Sequence, residues 1–237
     1  MTTTIGESQD SRRRVGLYGG SFNPVHFGHL RTAIEVLEQA ELAEVWLVPV
    51  HVPPHKENEA LAPGAARLRM LELAVQGHPS LRASDLELGR AGPSYTIDTV
   101  RLVKEQRPEL DLSLILGFDA FREIHTWKEY ERIFAECDLL VTSRPPHEVR
   151  AGDDFVHFGK LPIAVTRSFC YDEHLRCYAH DSGHRLRFVP VTALDISASR
   201  VREAARSGRS IAFLTPDSVA QYLALEGLYR SAPSSPS

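Results

Sequence analysis

Two histidines three residues apart, His26 and His29 in His26-Phe27-Gly28-His29, have a type and spacing that could do chemistry. Imidazoles on one side of a helix start can donate to phosphate oxygens and carry some positive charge near neutral pH. The glycine between them leaves space for a bulky anion. They follow Gly19-Gly20-Ser21-Phe22, which joins an apolar strand, Val15 to Tyr18, to a helix with Leu30, Ala33, Ile34 and Leu37 on one face. Strand, glycine turn and helix start together predict an anion site, with free backbone N–H groups and the positive end of the helix dipole facing the ligand. The spacing is neither the G-x-G-x-x-G of dinucleotide folds nor a P-loop. Taken alone, an H-x-G-H is more often a pair of surface or capping histidines.

Four further clusters carry polar chemistry. Pro49-Val50-His51-Val52-Pro53-Pro54-His55-Lys56 follows a strand, and its prolines present His55 and Lys56 on a stiffened loop, with Arg67 a short distance on. Ser94-Tyr95-Thr96 opens a helix that Ser94 or Thr96 can cap, with backbone donors left for an anionic group. Gly117-Phe118-Asp119 follows another strand, where Gly117 lets backbone approach a ligand and the Asp119 carboxylate can accept from a ribose. Trp127, a few residues on, offers a flat face for stacking or simply fills the core. Ile196-Ser197-Ala198-Ser199-Arg200-Val201-Arg202 enters a last-but-one helix, with Ser197 as N-cap and with Ser199 and the forked cation Arg202 near its start.

Strands alternating with amphipathic helices must position these groups. Val45–Val48, Leu112–Leu116 and Leu139–Thr142 are expected as strands; Ala65–Val75 and Tyr130–Cys137 are expected as helices, with Cys137 a core thiol. The final helix is expected between Thr215 as N-cap, Pro216 at its first position and Gly227 just past its end. The pattern predicts a doubly wound, Rossmann-like α/β fold, a parallel sheet with helices on both faces and ligands at the carboxyl ends of its strands. Residues 1–13 and 231–237 read as disordered flanks of a single domain, 14–230, with an enlarged polar connection at 147–187. Within that connection Cys170, His174, Cys177, His180 and His184 have metal-ligand chemistry without a familiar zinc spacing, so they read as incidental and no metal site is assigned.

Composition bounds the rest. At 237 residues and a formal charge of −4, the chain has no global attraction to nucleic acid or an anionic membrane, so phosphate chemistry must rest on local cations. No apolar run is long enough to span a bilayer and no signal peptide is seen. Three cysteines fit a reducing cytoplasm better than a disulfide framework. Homo-oligomerisation is left open by the sequence. No Ser-His-Asp, Cys-His or paired-carboxylate set is legible.

Gly19-Gly20-Ser21-Phe22-Asn23-Pro24-Val25-His26-Phe27-Gly28-His29-Leu30 resembles the signature of the H-x-G-H nucleotidyltransferase superfamily. Val52-Pro53-Pro54-His55-Lys56, Ser94-Tyr95-Thr96, the Gly117/Asp119 pair followed by Thr126-Trp127-Lys128-Glu129-Tyr130, and Arg144 resemble its bacterial nicotinate-mononucleotide adenylyltransferase branch. Ile196 to Arg202 is similar to that family's phosphate-gripping motif, with Ser199 for a usual threonine and Lys128 for a frequent aromatic. The resemblance implies adenylyl transfer from ATP to nicotinate mononucleotide, assisted by Mg²⁺. It places Gly19, Gly20, Ser21, Phe22, His26, His29, Gly117, Asp119, Ile196, Ser197, Ser199 and Arg202 at ATP. It places His55, Lys56, Ser94, Tyr95, Thr96, Trp127, Lys128 and Arg144 at the acceptor, with Lys56 also holding the triphosphate and with His26, His29, Lys56 and Arg202 aiding the chemistry. The alternatives are another acceptor, such as nicotinamide mononucleotide, and a nucleotide-sensing module without catalysis.

Overall fold

Apolar side chains alternate along the central strands because both faces of the sheet are covered. In β2 (Glu44–Pro49), Trp46 and Val48 enter one core while Val45 and Leu47 enter the other. In β4 (Leu110–Gly117), Leu112, Leu114 and Leu116 face the first core and Ile115 the second. The computed structural model describes residues 12–52, 61–143 and 161–229. Together with β1 (Arg13–Gly20), β3 (Leu81–Ala83), β5 (Asp138–Ser143), β6 (Cys170–Asp172), β7 (Cys177–Ala179) and β8 (Arg185–Pro190), these strands form one sheet in the order β3-β2-β1-β4-β5-β8-β7-β6. All neighbours from β3 through to β8 run parallel, and β8-β7-β6 is antiparallel.

Helices α3 (Thr96–Gln106), α4 (Phe118–Arg122) and α5 (Tyr130–Glu136) cover the first face, through Val100, Val103, Phe121, Ile133 and Phe134. Helices α1 (Phe27–Gln39), α2 (Gly64–Val75) and α8 (Asp217–Leu225) cover the second, through Val36, Met70, Leu71, Val219 and Leu223. Helix α6 (Ile163–Thr166) and α7 (Ala198–Arg206) complete the chain. From β1 the chain winds outward to β2 and β3, then returns to β4 on the other side of β1. That reversal opens a crevice at the carboxyl ends of β1 and β4, where a doubly wound sheet binds ligands. No helix among the described residues is long and apolar enough to cross a membrane.

The expected α/β architecture is present, with differences in detail. Strand β1 begins at Arg13, within the stretch expected to be a flank. The described part of the enlarged connection, from residue 161, folds as α6 and the β6-β7 hairpin, which adds an antiparallel edge to the sheet. Its short, polar strands lack the long apolar run by which buried parallel strands are recognised. The buried face of α1 is Gly28, Thr32, Ala33, Glu35 and Val36, while Leu30, Ile34 and Leu37 pack beside it half-buried. Helix α1 is therefore covered on two flanks, and the Glu35 carboxylate is buried because it accepts from both N–H and Oγ1 of Thr192. Thr215 does not cap α8. It is fully buried, and its hydroxyl donates to the Val25 carbonyl at 2.8 Å. Gly227 does end α8 as expected, at φ +64°, with Leu228 N–H returning to the Leu223 carbonyl. Cys137 is a core thiol whose pKa burial pushes up to about 12.

Candidate active site

The turn after β1 is built from its own side chains. Gly19 and Gly20 are the extended end of β1, and the left-handed residue of the turn is Phe22, at φ 45°. Phe22 is buried in the second core and shapes the turn from within. Asn23 follows, fully buried. Its Oδ1 accepts from Ala62 N–H at 3.0 Å and from the Tyr229 hydroxyl, and its carbonyl accepts from Arg202 Nη1 at 2.7 Å. Arg67 is also buried, donating to the Ser21 carbonyl at 2.9 Å and the Ala62 carbonyl at 3.0 Å. It therefore holds the turn instead of facing a substrate.

His26 is the N-cap of α1 and only 4% exposed. Its ring stacks on that of His29, with centroids 3.7 Å apart and planes at 26°. The His26 backbone N–H donates to His29 Nδ1 at 3.3 Å. A neutral imidazole that accepts at Nδ1 carries its proton on Nε2, so His29 is set as a donor at Nε2. Phe22 and Tyr18 hold the His29 ring edge-on, at 5.0 and 6.4 Å between centroids.

The space at Gly28 is taken by protein. A Cβ there would lie 3.0 Å from His26 Cε1 and Nδ1, and 3.6 Å from the Ile196 carbonyl oxygen. The glycine serves the His26 ring, not a bulky anion. The free N–H groups expected at this helix start are partly spent too: Phe27 donates to the Leu214 carbonyl and His29 to the His26 carbonyl.

Beside this turn lies a cavity of about 280 Å³, close to the small end of ligand pockets. Tyr18, Gly19, Gly20 and Ser21 line it on one side, Ser94, Tyr95 and Thr96 on another, and Gly117, Trp127 and Lys128 on a third. Val48, Val100, Leu114 and Leu116 make its walls apolar. Trp127 is half-buried against the first core, its backbone N–H donating to the carbonyl of Ile124, which is fully buried in the 3₁₀ turn Ile124–Thr126. Helix α3 starts after Tyr95 with no side-chain cap, so neither Ser94 nor Thr96 caps it. Ser94 Oγ instead accepts from His51 N–H at 2.9 Å, pinning the loop after β2. The Lys128 ammonium turns back to α3, 3.0 Å from both Asp98 carboxylate oxygens and 4.9 Å from the Tyr95 ring centre.

The second group stands at α7. Ser197 caps it, accepting from Arg200 N–H at 3.3 Å, and Ser199 Oγ lies 3.1 Å from Ser197 Oγ. Ile196, Ser199 and Arg202 line a second cavity. The Arg202 bond to Asn23 and the Ile196 contact at Gly28 bring this group to the histidine turn. Asp119 is not brought in with it. It is exposed on α4 and does not line the first cavity, where its neighbours Gly117 and Ala120 do. His55, Lys56 and Arg144 lie outside the described residues. Asn23 and Glu87 are buried polar groups that the sequence reading missed, and Arg67, read there as a cation near the substrate loop, is buried behind the turn. The Asn23-Pro24 pair is the one local signal of a specialised turn among them.

A doubly wound sheet with a histidine turn at its switch point defines a class, and the sequence matches it: the chain belongs to the cytidylyltransferase-like family, matched over residues 17–204. Within that family it is 44% identical over 220 residues to a probable nicotinate-nucleotide adenylyltransferase of Desulfatibacillum aliphaticivorans, covering 91% of this chain and 99% of that protein. It is 40% identical over 216 residues to the protein of the same name in Geobacter metallireducens, covering 91% and 98%. A similar fold is found in the Plasmodium falciparum nicotinic acid mononucleotide adenylyltransferase complexed with NaAD, at a TM-score of 0.66 and 19% identity, with 92% of this chain and 97% of that one covered.

Proposed function

We propose that this protein transfers the adenylyl group of ATP to nicotinate mononucleotide, giving nicotinate adenine dinucleotide and pyrophosphate. The observation that carries the reading is one juxtaposition: an apolar, ring-sized cavity lined by Trp127 shares its Tyr18 wall with the stacked His26/His29 pair. The names of the relatives support it. A phosphate oxygen of the acceptor attacks the α-phosphorus of ATP. The bond to the β-phosphate oxygen breaks, and pyrophosphate leaves with that electron pair. Such transfer needs positioning and charge stabilisation more than covalent chemistry by the protein.

In this reading His29 Nε2–H and His26 face the phosphates, and Ser199 and Arg202 hold the triphosphate at α7, with the Gly19–Ser21 backbone alongside. Lys56 joins the triphosphate and His55 and Arg144 the acceptor, each assigned from sequence alone. The pyridine ring stacks on Trp127, and the backbone N–H groups of Thr96 and Lys128 receive its carboxylate. Ile196 contributes backbone, Phe22 holds the turn beneath the phosphates, and Ser94 shapes the loop after β2. Among the described residues no group of three or more His, Cys, Asp or Glu could hold a metal ion. Mg²⁺ would enter as the ATP complex, held by phosphates and water, where it neutralises charge on the leaving group. We read residues 14–230 as one domain, acting in the cytoplasm on small molecules and compatible with a homo-oligomer.

Pyrophosphate release from ATP should require nicotinate mononucleotide and be weak with phosphopantetheine or glycerol phosphate. Release that is equally fast with a non-pyridine acceptor, or absent with every acceptor, refutes the reading.

A further inference from the structure

One carboxylate in the cavity wall has no task in this scheme. Glu87, between β3 and α3, lines the first cavity and is only 6% exposed. Its Oε1 accepts from Thr99 Oγ1 at 2.7 Å, and Thr99 in turn accepts from Arg90 Nη1 at 2.9 Å. Its Oε2 is buried without a hydrogen-bond partner among the described residues. Burying a carboxylate oxygen with no partner is costly, and a fold keeps such a group when something else compensates it. Two cations stand nearby, and neither bonds Oε2. Arg67 feels the Glu87 charge from a distance while its Nε and Nη1 donate to the Ala62 and Ser21 carbonyls, and Arg90 reaches Thr99 and, at 3.6 Å, Asp98. Val100, Leu114 and Leu116 complete the wall, and apolar neighbours neither screen the charge nor satisfy it.

We propose that Glu87 is the counter-charge for the cationic pyridinium ring of the acceptor nucleotide, an inference that rests on the function proposed above. The ring nitrogen of a pyridine mononucleotide is quaternary. It has no N–H to donate, its positive charge spreads over the ring, and it is recognised by field and by aromatic faces instead of by a hydrogen bond. The cavity supplies both, with the Trp127 ring as platform and Glu87 as the buried negative charge. At the rim, the N-terminus of α3 and Lys128 offer the opposite sign to the ring's carboxylate. The charge arrangement of the site thus matches a zwitterion, positive ring inward and negative substituent at the α3 start. Glu87 then separates oxidised from reduced pyridine nucleotides, because reduction to the dihydropyridine removes the ring charge and keeps the rest of the molecule.

Inhibition constants against nicotinate mononucleotide, measured for nicotinamide mononucleotide and its 1,4-dihydro form, test this on the full chain. The wild type should bind the oxidised form at least about tenfold more tightly, since an opposite charge within ~4–6 Å shifts an equilibrium by roughly one to three log units. Glu87→Gln keeps an acceptor for Thr99 and should bring the ratio close to one, mainly by weakening the oxidised form. Glu87→Asp, which retains the charge, should keep the preference, and it serves if the Gln variant does not fold. Equal binding of the two forms by the wild type overturns the proposal, as does a ratio that Glu87→Gln leaves unchanged or that Glu87→Asp abolishes. Turnover of nicotinate mononucleotide by the wild type tests the underlying function separately, so either can fail alone.

Discussion

Gly28→Ala separates what the histidine turn does for the fold from what it does for the reaction. Gly28 is the second residue of α1, and replacing a helical glycine with alanine ordinarily stabilises by roughly 0.5–1 kcal/mol. Here the new methyl would lie 3.0 Å from two atoms of the His26 ring, where ordinary contact begins at 3.4 Å. The ring must retreat by about 0.4 Å or tilt, a shift that also strains the 3.7 Å stack with His29. His26 is 4% exposed and stacked on His29, so it has little room to do so. The helix gain and the crowding cost are of similar size, so the melting temperature should move by only a few degrees either way. Turnover should fall roughly 10- to 100-fold, because a misplacement of about 1 Å in a positioning group can cost on that order. The assay is initial-rate pyrophosphate release at saturating ATP and acceptor, with thermal unfolding of the same sample. A folded variant that keeps at least a third of wild-type kcat refutes the claim that the stacked pair must be held in place.

Arg202→Ala should raise the KM for ATP at least about tenfold and leave that of the acceptor within about twofold, a charged contact being worth roughly 1.5–3 kcal/mol; separate KM titrations check it, and equal effects on both substrates contradict the placement. Trp127→Ala should raise the acceptor KM by about 5- to 100-fold, from a stacking loss of roughly 1–3 kcal/mol, with the ATP KM nearly unchanged. For Glu35, burial pushes the pKa up but the hydrogen bonds from Thr192 and the bond and charge of Arg31 outweigh it, so the folded-state pKa lies below 4.5. The stability this contributes is present above the unfolded-state value and is lost as pH falls through the folded one. Glu35→Gln should flatten that acid limb of an unfolding-versus-pH curve and cost about 1–3 kcal/mol at neutral pH.

The fold was legible because its strongest signals are local. Trp46 and Val48 against Val45 and Leu47, and the helical spacing of Ile133, Phe134 and Cys137, each state which side faces a core. The β6-β7 edge was not legible, since three-residue strands such as Cys170–Asp172 carry no periodicity to read. In the site, residues presented by motif loops, Tyr95, Thr96 and Trp127, stand together as the sequence suggested. What escaped was the support behind them. Arg67 reads as a substrate cation until its burial and its carbonyl partners are seen, and Asn23 reads as a turn residue although it joins Ala62, Arg202 and Tyr229. All of those bonds except that of Arg67 to Ala62 span tens to hundreds of residues, and no local pattern encodes them. Gly28 carries a related lesson: its conformational freedom matters less than the imidazole lying over it.

The most direct test of adenylyl transfer is the fate of label from ATP. With α-labelled ATP and nicotinate mononucleotide, the label should appear in nicotinate adenine dinucleotide, mole for mole with pyrophosphate, and none should be found on the protein after denaturation. With γ-labelled ATP, all of the label should leave as pyrophosphate. Label from the γ-position in the acceptor, or α-label retained covalently on the chain, would contradict direct attack at the α-phosphorus.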